Sequence, residues 1–261
     1  FGTFVYVLML LSLLFGKTFR NIIQEQKKAS SYYIQDTSII DEIRKDNKDY
    51  VSQLSFLSEE GFPFYHNTGF KYYAPCENGF DEMLKELKKA EKYIFMEYFI
   101  IEEGIMFNSI LSILEEKVKQ GVEVRIMYDD MGSLGTLPAS YAKQLQKKGI
   151  KAVSFNRISP IINTIMNHRD HRKILVIDGK VAFSGGANLA DEYINKKVKY
   201  GHWMDNIICV KGKAVWSYLI MFLTNWNALR HEDEDYTVFK SEIIEDETLY
   251  DGYIAPYAET P

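Results

Sequence analysis

The chain opens on an uncharged run. Phe1 to Phe15 carries twelve large apolar or aromatic side chains ahead of Gly16-Lys17. As a helix at 1.5 Å per residue, residues 1–16 are about 24 Å long, short of the roughly 30 Å hydrocarbon core of a bilayer. Its cations (Lys17, Arg20, Lys27, Lys28) follow the apolar run, whereas a signal peptide carries them in front. The pattern predicts part of a transmembrane helix over 1–16, with everything downstream on the cytoplasmic side. Residues 17–58 are polar and mixed in charge. Ile39, Ile40, Ile43, Tyr50, Leu54 and Leu57 are spaced there for an amphipathic helix, either interfacial or a plain linker.

Beyond about residue 59 the periodicity alternates. Residues 70–73 read as a strand. Residues 79–92 read as a helix with Phe80, Met83, Leu84, Leu87 and Ala90 on one stripe. The nearly unbroken apolar run 93–100 is the pattern of a strand covered on both faces. A helix over 105–119, a strand over 122–128, a helix over 138–148 and a strand over 151–155 follow. This β-α-β-α-β order predicts an α/β sandwich. Ile174 to Ile177, the turn Asp178-Gly179 and Val181 to Phe183 then form a hairpin, which makes the sheet mixed. A short helix over 189–194, a strand over 206–210 and a helix over 213–229 complete a domain spanning 59–235. The tryptophans read as core. Residues 236–261 are too few to build another unit.

Composition narrows the class. A 261-residue chain that is 46% hydrophobic and 14% aromatic has ample material for one large core. The net charge of −5 argues against nucleic acid as the main partner. Cys76 and Cys209 show no metal-ligand spacing and imply neither a disulfide framework nor zinc. The basic loop Lys196-Lys197-Val198-Lys199 is either a solvated charge run or a contact for anionic headgroups.

Candidate chemistry gathers at the hairpin. On a strand His171 and Lys173 lie two apart and point to one side, so an imidazole and an ammonium converge. A neutral histidine can attack phosphorus, and a lysine can neutralise the phosphoryl oxygens. Gly185-Gly186 would let backbone approach an anion, with the Asn188 amide beside it. Together these residues suit phosphoryl transfer through a covalent histidine, and nothing in the pattern calls for a metal or another cofactor. Glu97, an acid inside a hydrophobic strand, either orients a catalytic group or sits in a structural ion pair. Asp129 and Asp130, at a strand end, read as turn or capping residues ahead of site residues.

His171-x-Lys173-x4-Asp178 followed by Gly185-Gly186-x-Asn188 resembles the HxKxxxxD signature of the phospholipase D superfamily. Within that superfamily the chain is most similar to bacterial cardiolipin synthases. The similarity extends to Leu14-Phe15-Gly16-Lys17, Met96-Glu97-Tyr98-Phe99, Met127-Tyr128-Asp129-Asp130-x-Gly132-Ser133, Asn188 to Tyr193 and Trp203-x-Asp205.

The resemblance implies a phospholipase D-like α-β-α sandwich with a mixed sheet. It also implies a membrane-bound bacterial enzyme that joins two phosphatidylglycerol molecules into cardiolipin, releasing glycerol. His171 would be the nucleophile or its acid/base partner, Lys173 would bind the phosphoryl oxygens, and Asp178 would orient the site. Gly185, Gly186 and Asn188 would hold the substrate phosphate. Such enzymes carry two of these motifs in tandem halves. Here no second His-x-Lys occurs, so the chain is expected to be an N-terminal half, with 236–261 leading into a second half that completes the site. Two alternatives remain: a phosphodiesterase that uses water as acceptor, and a non-catalytic half that acts only with a partner.

Overall fold

A computed structural model of the chain describes residues 20–46, 51–66, 68–157, 169–242 and 252–258. The predicted transmembrane segment 1–16 lies outside these residues. Among the described residues no helix is long and apolar enough to cross a membrane.

The centre is one seven-stranded sheet in the order β1-β7-β6-β5-β2-β3-β4. Its strands are β1 (Gly69–Tyr73), β2 (Tyr93–Tyr98), β3 (Glu123–Asp129), β4 (Lys151–Phe155), β5 (Lys173–Ile177), β6 (Val181–Gly185) and β7 (Ile207–Lys211). β2, β3 and β4 run parallel, and every other neighbouring pair is antiparallel. The expected mixed sheet is therefore present. All six residues of β2 are buried, as the unbroken apolar run required of a central strand.

Helices cover both faces. On one face, α4 (Cys76–Lys88), α5 (Ile105–Lys119) and α6 (Tyr141–Lys147) pack Met83, Leu87, Phe107, Ile110, Leu114 and Leu145 onto the even-numbered residues of β2. On the other, α7 (Val215–Arg230) lays Leu219, Phe222 and Trp226 over Tyr93, Phe95 and Val176. Trp226 is fully buried, in line with its reading as core. α7 has no polar face along most of its length because neighbours enclose it all round.

Several element bounds differ from the periodicity. α4 begins at Cys76 and stops at Lys88. β2 ends at Tyr98, because Phe99 and Ile100 turn out of the sheet. Residues 191–194 form a 3-10 turn rather than a longer helix.

The flanks pack closer than a linker would. A helix over residues 20–30 (α1) places Ile22 and Ala29 in the α7-side core, and Trp216 Nε1 donates to the Tyr32 carbonyl at 2.9 Å. Helices α2 (Thr37–Asp46) and α3 (Val51–Glu59) form a small cluster of their own around Ile40, Ile43 and Leu54. Ile254 pairs with Tyr65 by two backbone hydrogen bonds of 2.9 and 3.0 Å, so residues 252–258 lie along this domain.

Candidate active site

β5 is joined to β6 by Asp178 and Gly179, both at positive φ (+53° and +65°), with Lys180 N–H donating to Ile177 C=O at 2.9 Å. Two left-handed residues in succession are what a type I′ turn needs, and Asp-Gly supplies them; with Lys180 the loop is three residues, and Ile177 faces Val181. The hairpin fixes the register Ile174↔Ser184 and sends the other end of β5 toward the C-terminal ends of β2 and β3.

At that end the chain alternates faces. Arg172 turns to the α7 side, where its guanidinium donates to the Met221 carbonyl at 3.5 Å and lies 3.9 Å from Glu97. His171 and Lys173 turn to the opposite side and meet Phe99. The imidazole lies 4.7 Å from the Phe99 ring, and the Lys173 ammonium 5.5 Å from it. Lys173 is 6% exposed, and its Nζ donates to the His171 carbonyl at 2.6 Å. Lys173 and His171 also line a cavity of about 340 Å³ with Arg172, Ser184, Tyr218 and Tyr257.

Electrostatics prepare the pair. Burial lowers the Lys173 pKa to about 8, against the pull of the Asp170 and Asp205 charges. Burial, and then the neighbouring Lys173 charge, lower that of His171, so its imidazole is neutral near pH 7. A neutral imidazole beside a readily titrated ammonium suits nucleophilic or acid/base attack on a phosphodiester.

The other predicted site residues are placed differently. Asp178 sits at the opposite end of β5, five residues or about 16 Å from Lys173 along the strand. Its carboxylate accepts from the backbone N–H groups of Glu91, Lys92 and Tyr93, each at 2.8 Å. It pins the start of β2, and among the described residues its carboxylate makes no hydrogen bond or ion pair with the histidine–lysine pair.

Asn188 is buried with both ends of its amide satisfied. Oδ1 accepts from Ile100 N–H at 2.9 Å and Nδ2 donates to Tyr193 Oη at 2.8 Å. The Gly186 N–H donates to the Asn206 carbonyl at 3.2 Å, and Gly185 pairs with Ile207 in the sheet. Gly186 is needed for space, because a Cβ there would collide with the Asp205 carboxylate. A Cβ on Gly185, at φ +140°, would come within 2.5 Å of the Asn206 carbonyl. The Gly186 N–H and the Asn188 amide thus have partners among the described residues.

Two further groups stand at the site: Asp205, which the sequence reading named only in the resemblance, and Phe99, which it read as part of the strand 93–100. Asp205 adds negative charge near Lys173. Phe99 is held against the pair by its own loop: Asn188 and the Ser133 hydroxyl accept from Ile100 and Ile101 N–H, and a Cβ on Gly132 would strike the Phe99 carbonyl. Neither would stand out by periodicity, since both lie past the ends of strands.

Asp129 does what its position predicted. It is fully buried and accepts from Met131 and Gly132 N–H (both 2.9 Å), from Asp170 N–H (3.1 Å) and from Arg169 (3.3 Å). It thereby ties the turn after β3 to the segment leading into His171. Glu97 is also fully buried. Asn225 donates to it at 2.8 Å, while burial and the Asp170 charge hold its carboxyl well above the usual range. Among the described residues no group of three or more His, Cys, Asp or Glu side chains could hold a metal ion.

This geometry can be set beside known proteins. The family described as cardiolipin synthase, PLD-like domain, matches residues 83–219, which include the whole hairpin and Tyr218 of the cavity wall. An uncharacterised protein of Streptococcus mutans is 44% identical over 244 residues, 93% of this chain and 52% of its own length. A cardiolipin synthase of Staphylococcus aureus is 37% identical over 176 residues, 65% of this chain and 36% of its own length. The chain thus spans about half the length, or less, of the curated relatives it matches. A crystal structure of the phospholipase D family member Nuc from Salmonella typhimurium superposes at a TM-score of 0.47 and 20% identity. It covers 62% of this chain and 95% of its own, a likeness too loose to add to the family match. The chain belongs to the cardiolipin synthase family of phospholipase D-like domains.

Proposed function

We propose that the protein is a phosphatidyltransferase that makes cardiolipin and glycerol from two phosphatidylglycerol molecules. The observation that carries this reading is the pairing of His171, whose pKa burial lowers, with Lys173 in the lining of one cavity, in a domain of the cardiolipin synthase family. In the first step an imidazole nitrogen attacks phosphorus and the bond to the glycerol oxygen breaks. A general acid supplies that oxygen's proton, and a phosphatidyl-histidine remains. In the second step a hydroxyl of another phosphatidylglycerol forms the new P–O bond. The P–N bond breaks, and the hydroxyl proton returns to the base. Lys173 stabilises the charge on the non-bridging oxygens in both steps. His171 takes one of the two histidine roles, and a second HxKxxxxD half supplies the other.

The substrates are bilayer lipids, so the domain works at a bacterial cell membrane, on the cytoplasmic side by the order of charges after the apolar run. The test is the product of the full-length protein in phosphatidylglycerol vesicles, followed by mass spectrometry. Cardiolipin with free glycerol is expected. Phosphatidic acid alone would make the protein a hydrolase, and unchanged lipid would remove the enzymatic reading.

A further inference from the structure

The α7 side of the cavity is not accounted for by the histidine–lysine pair. Its wall carries three hydroxyl groups, on Ser184 at the end of β6, Tyr218 on α7 and Tyr257 in the C-terminal segment, with Met221 and Ile174 between them. Among the described residues none of these hydroxyls has a hydrogen-bond partner. A hydroxyl both donates and accepts, and groups of that kind beside short apolar surface fit a small polyol.

The placement of Tyr257 is specific. Its segment is held by the two-way backbone pairing of Ile254 with Tyr65, and Tyr65 Oη in turn lies 2.8 Å from Ser217 Oγ on α7. The Tyr257 ring leans edge-on against Phe62 and is 63% exposed at the cavity. A volume of about 340 Å³ is room for on the order of ten waters, or for a three-carbon polyol and the phosphate that carries it.

We propose that Ser184, Tyr218 and Tyr257 form a subsite for a glycerol headgroup, used once for the leaving alcohol and once for the attacking one. This inference rests on the transferase reading above. The two steps of such a reaction are near mirror images. The oxygen that leaves phosphorus in the first and the oxygen that attacks it in the second occupy the same position opposite the histidine. One polyol subsite therefore serves donor and acceptor alike. It also favours a polyol over water, because bound glycerol sits where its hydroxyl can react.

The experiment measures a ratio, so a general loss of rate cancels. Full-length protein acts on phosphatidylglycerol vesicles with deuterated glycerol and ethanol at equal concentration. Labelled phosphatidylglycerol and phosphatidylethanol are then counted by mass spectrometry. In Tyr218→Phe/Tyr257→Phe the glycerol-to-ethanol ratio is expected to fall about tenfold, the effect of two ordinary hydrogen bonds. Ser184→Ala, expected to lower it about threefold, gives the same readout should the double variant fold poorly. A ratio within twofold of wild type in a folded variant would overturn the subsite and leave the transferase intact. A wild-type protein that yields only phosphatidic acid would overturn both.

Discussion

The two ends of β5 are built from the same kind of residue and behave in opposite ways. At one end Asp178 is a buried charge with three N–H donors at 2.8 Å, fixed by the turn that follows it. At the other, Lys173 is a buried charge with a single carbonyl partner, beside an exposed imidazole and an open cavity. A charge that has its hydrogen bonds supports the fold. A charge that lacks them is shifted in pKa and ready to bind something else. The contrast separates scaffold from chemistry within one motif that reads as a unit in the sequence.

Substitutions should break this contrast in different ways. Lys173→Met keeps the length of the side chain and removes its charge. Turnover of the full-length protein should fall by about 10³-fold, the scale of losing one preorganised charge in the transition state, while its melting temperature holds or rises. Asp178→Ala should do the reverse. Three amides lose their acceptor, at a cost of roughly 3–5 kcal/mol in urea unfolding, while the molecules that remain folded keep their turnover. If Asp178→Ala were instead folded, stable and inactive, the division of the strand would fail.

The pH profile sharpens the same point. Lys173 must be charged to hold phosphoryl oxygens, so the rate should fall about tenfold per unit above pH 8. His171 must be neutral to attack. Its lowered pKa keeps it so below the ordinary histidine value of about 6.5, and the acid limb should lie under that value. Lys173→Arg should move the alkaline limb out of range, which titration of the weakened activity would show.

A smaller effect is expected from Glu97. Its folded pKa is raised, so the folded state holds a proton that the unfolded state releases above about 4.3. Stability from this group is complete below that pH and declines as pH rises toward the folded value. Glu97→Gln removes the decline. Its stability relative to wild type should therefore improve between pH 4.5 and 8, by melts recorded across that range.

Much of the architecture was legible because periodicity records burial directly. The central position of β2 follows from an unbroken apolar run, and the β5–β6 hairpin from Asp178-Gly179. That His171 and Lys173 share a side follows from the two-residue repeat of extended chain. Motif letters carry no such geometry. Asp178 stands five residues from Lys173 in the sequence, but along a strand that is a distance no side chain spans. Gly185, Gly186 and Asn188 lie near the site, yet their hydrogen bonds go to Asn206, Ile100 and Tyr193, contacts that only the folded sheet brings about. Phe99, read by its pattern as part of the strand 93–100, and Tyr257 both reach the site from outside the regular elements. The stretch 17–58 read as an amphipathic helix, interfacial or a plain linker, from the spacing of its apolar residues; several of these, such as Ile40 and Ile43, are buried in the fold.

The most direct test of the division along β5 is to follow one variant, His171→Ala, by two readouts on the full-length protein. Lipid products in phosphatidylglycerol vesicles and the thermal melt would be recorded on the same preparation. Cardiolipin formation reduced at least about 10²-fold with a melting temperature within about 2 °C of wild type is the predicted result. Cardiolipin formed at the wild-type rate by the folded variant would contradict the account, because the reaction would then not run through this end of the strand.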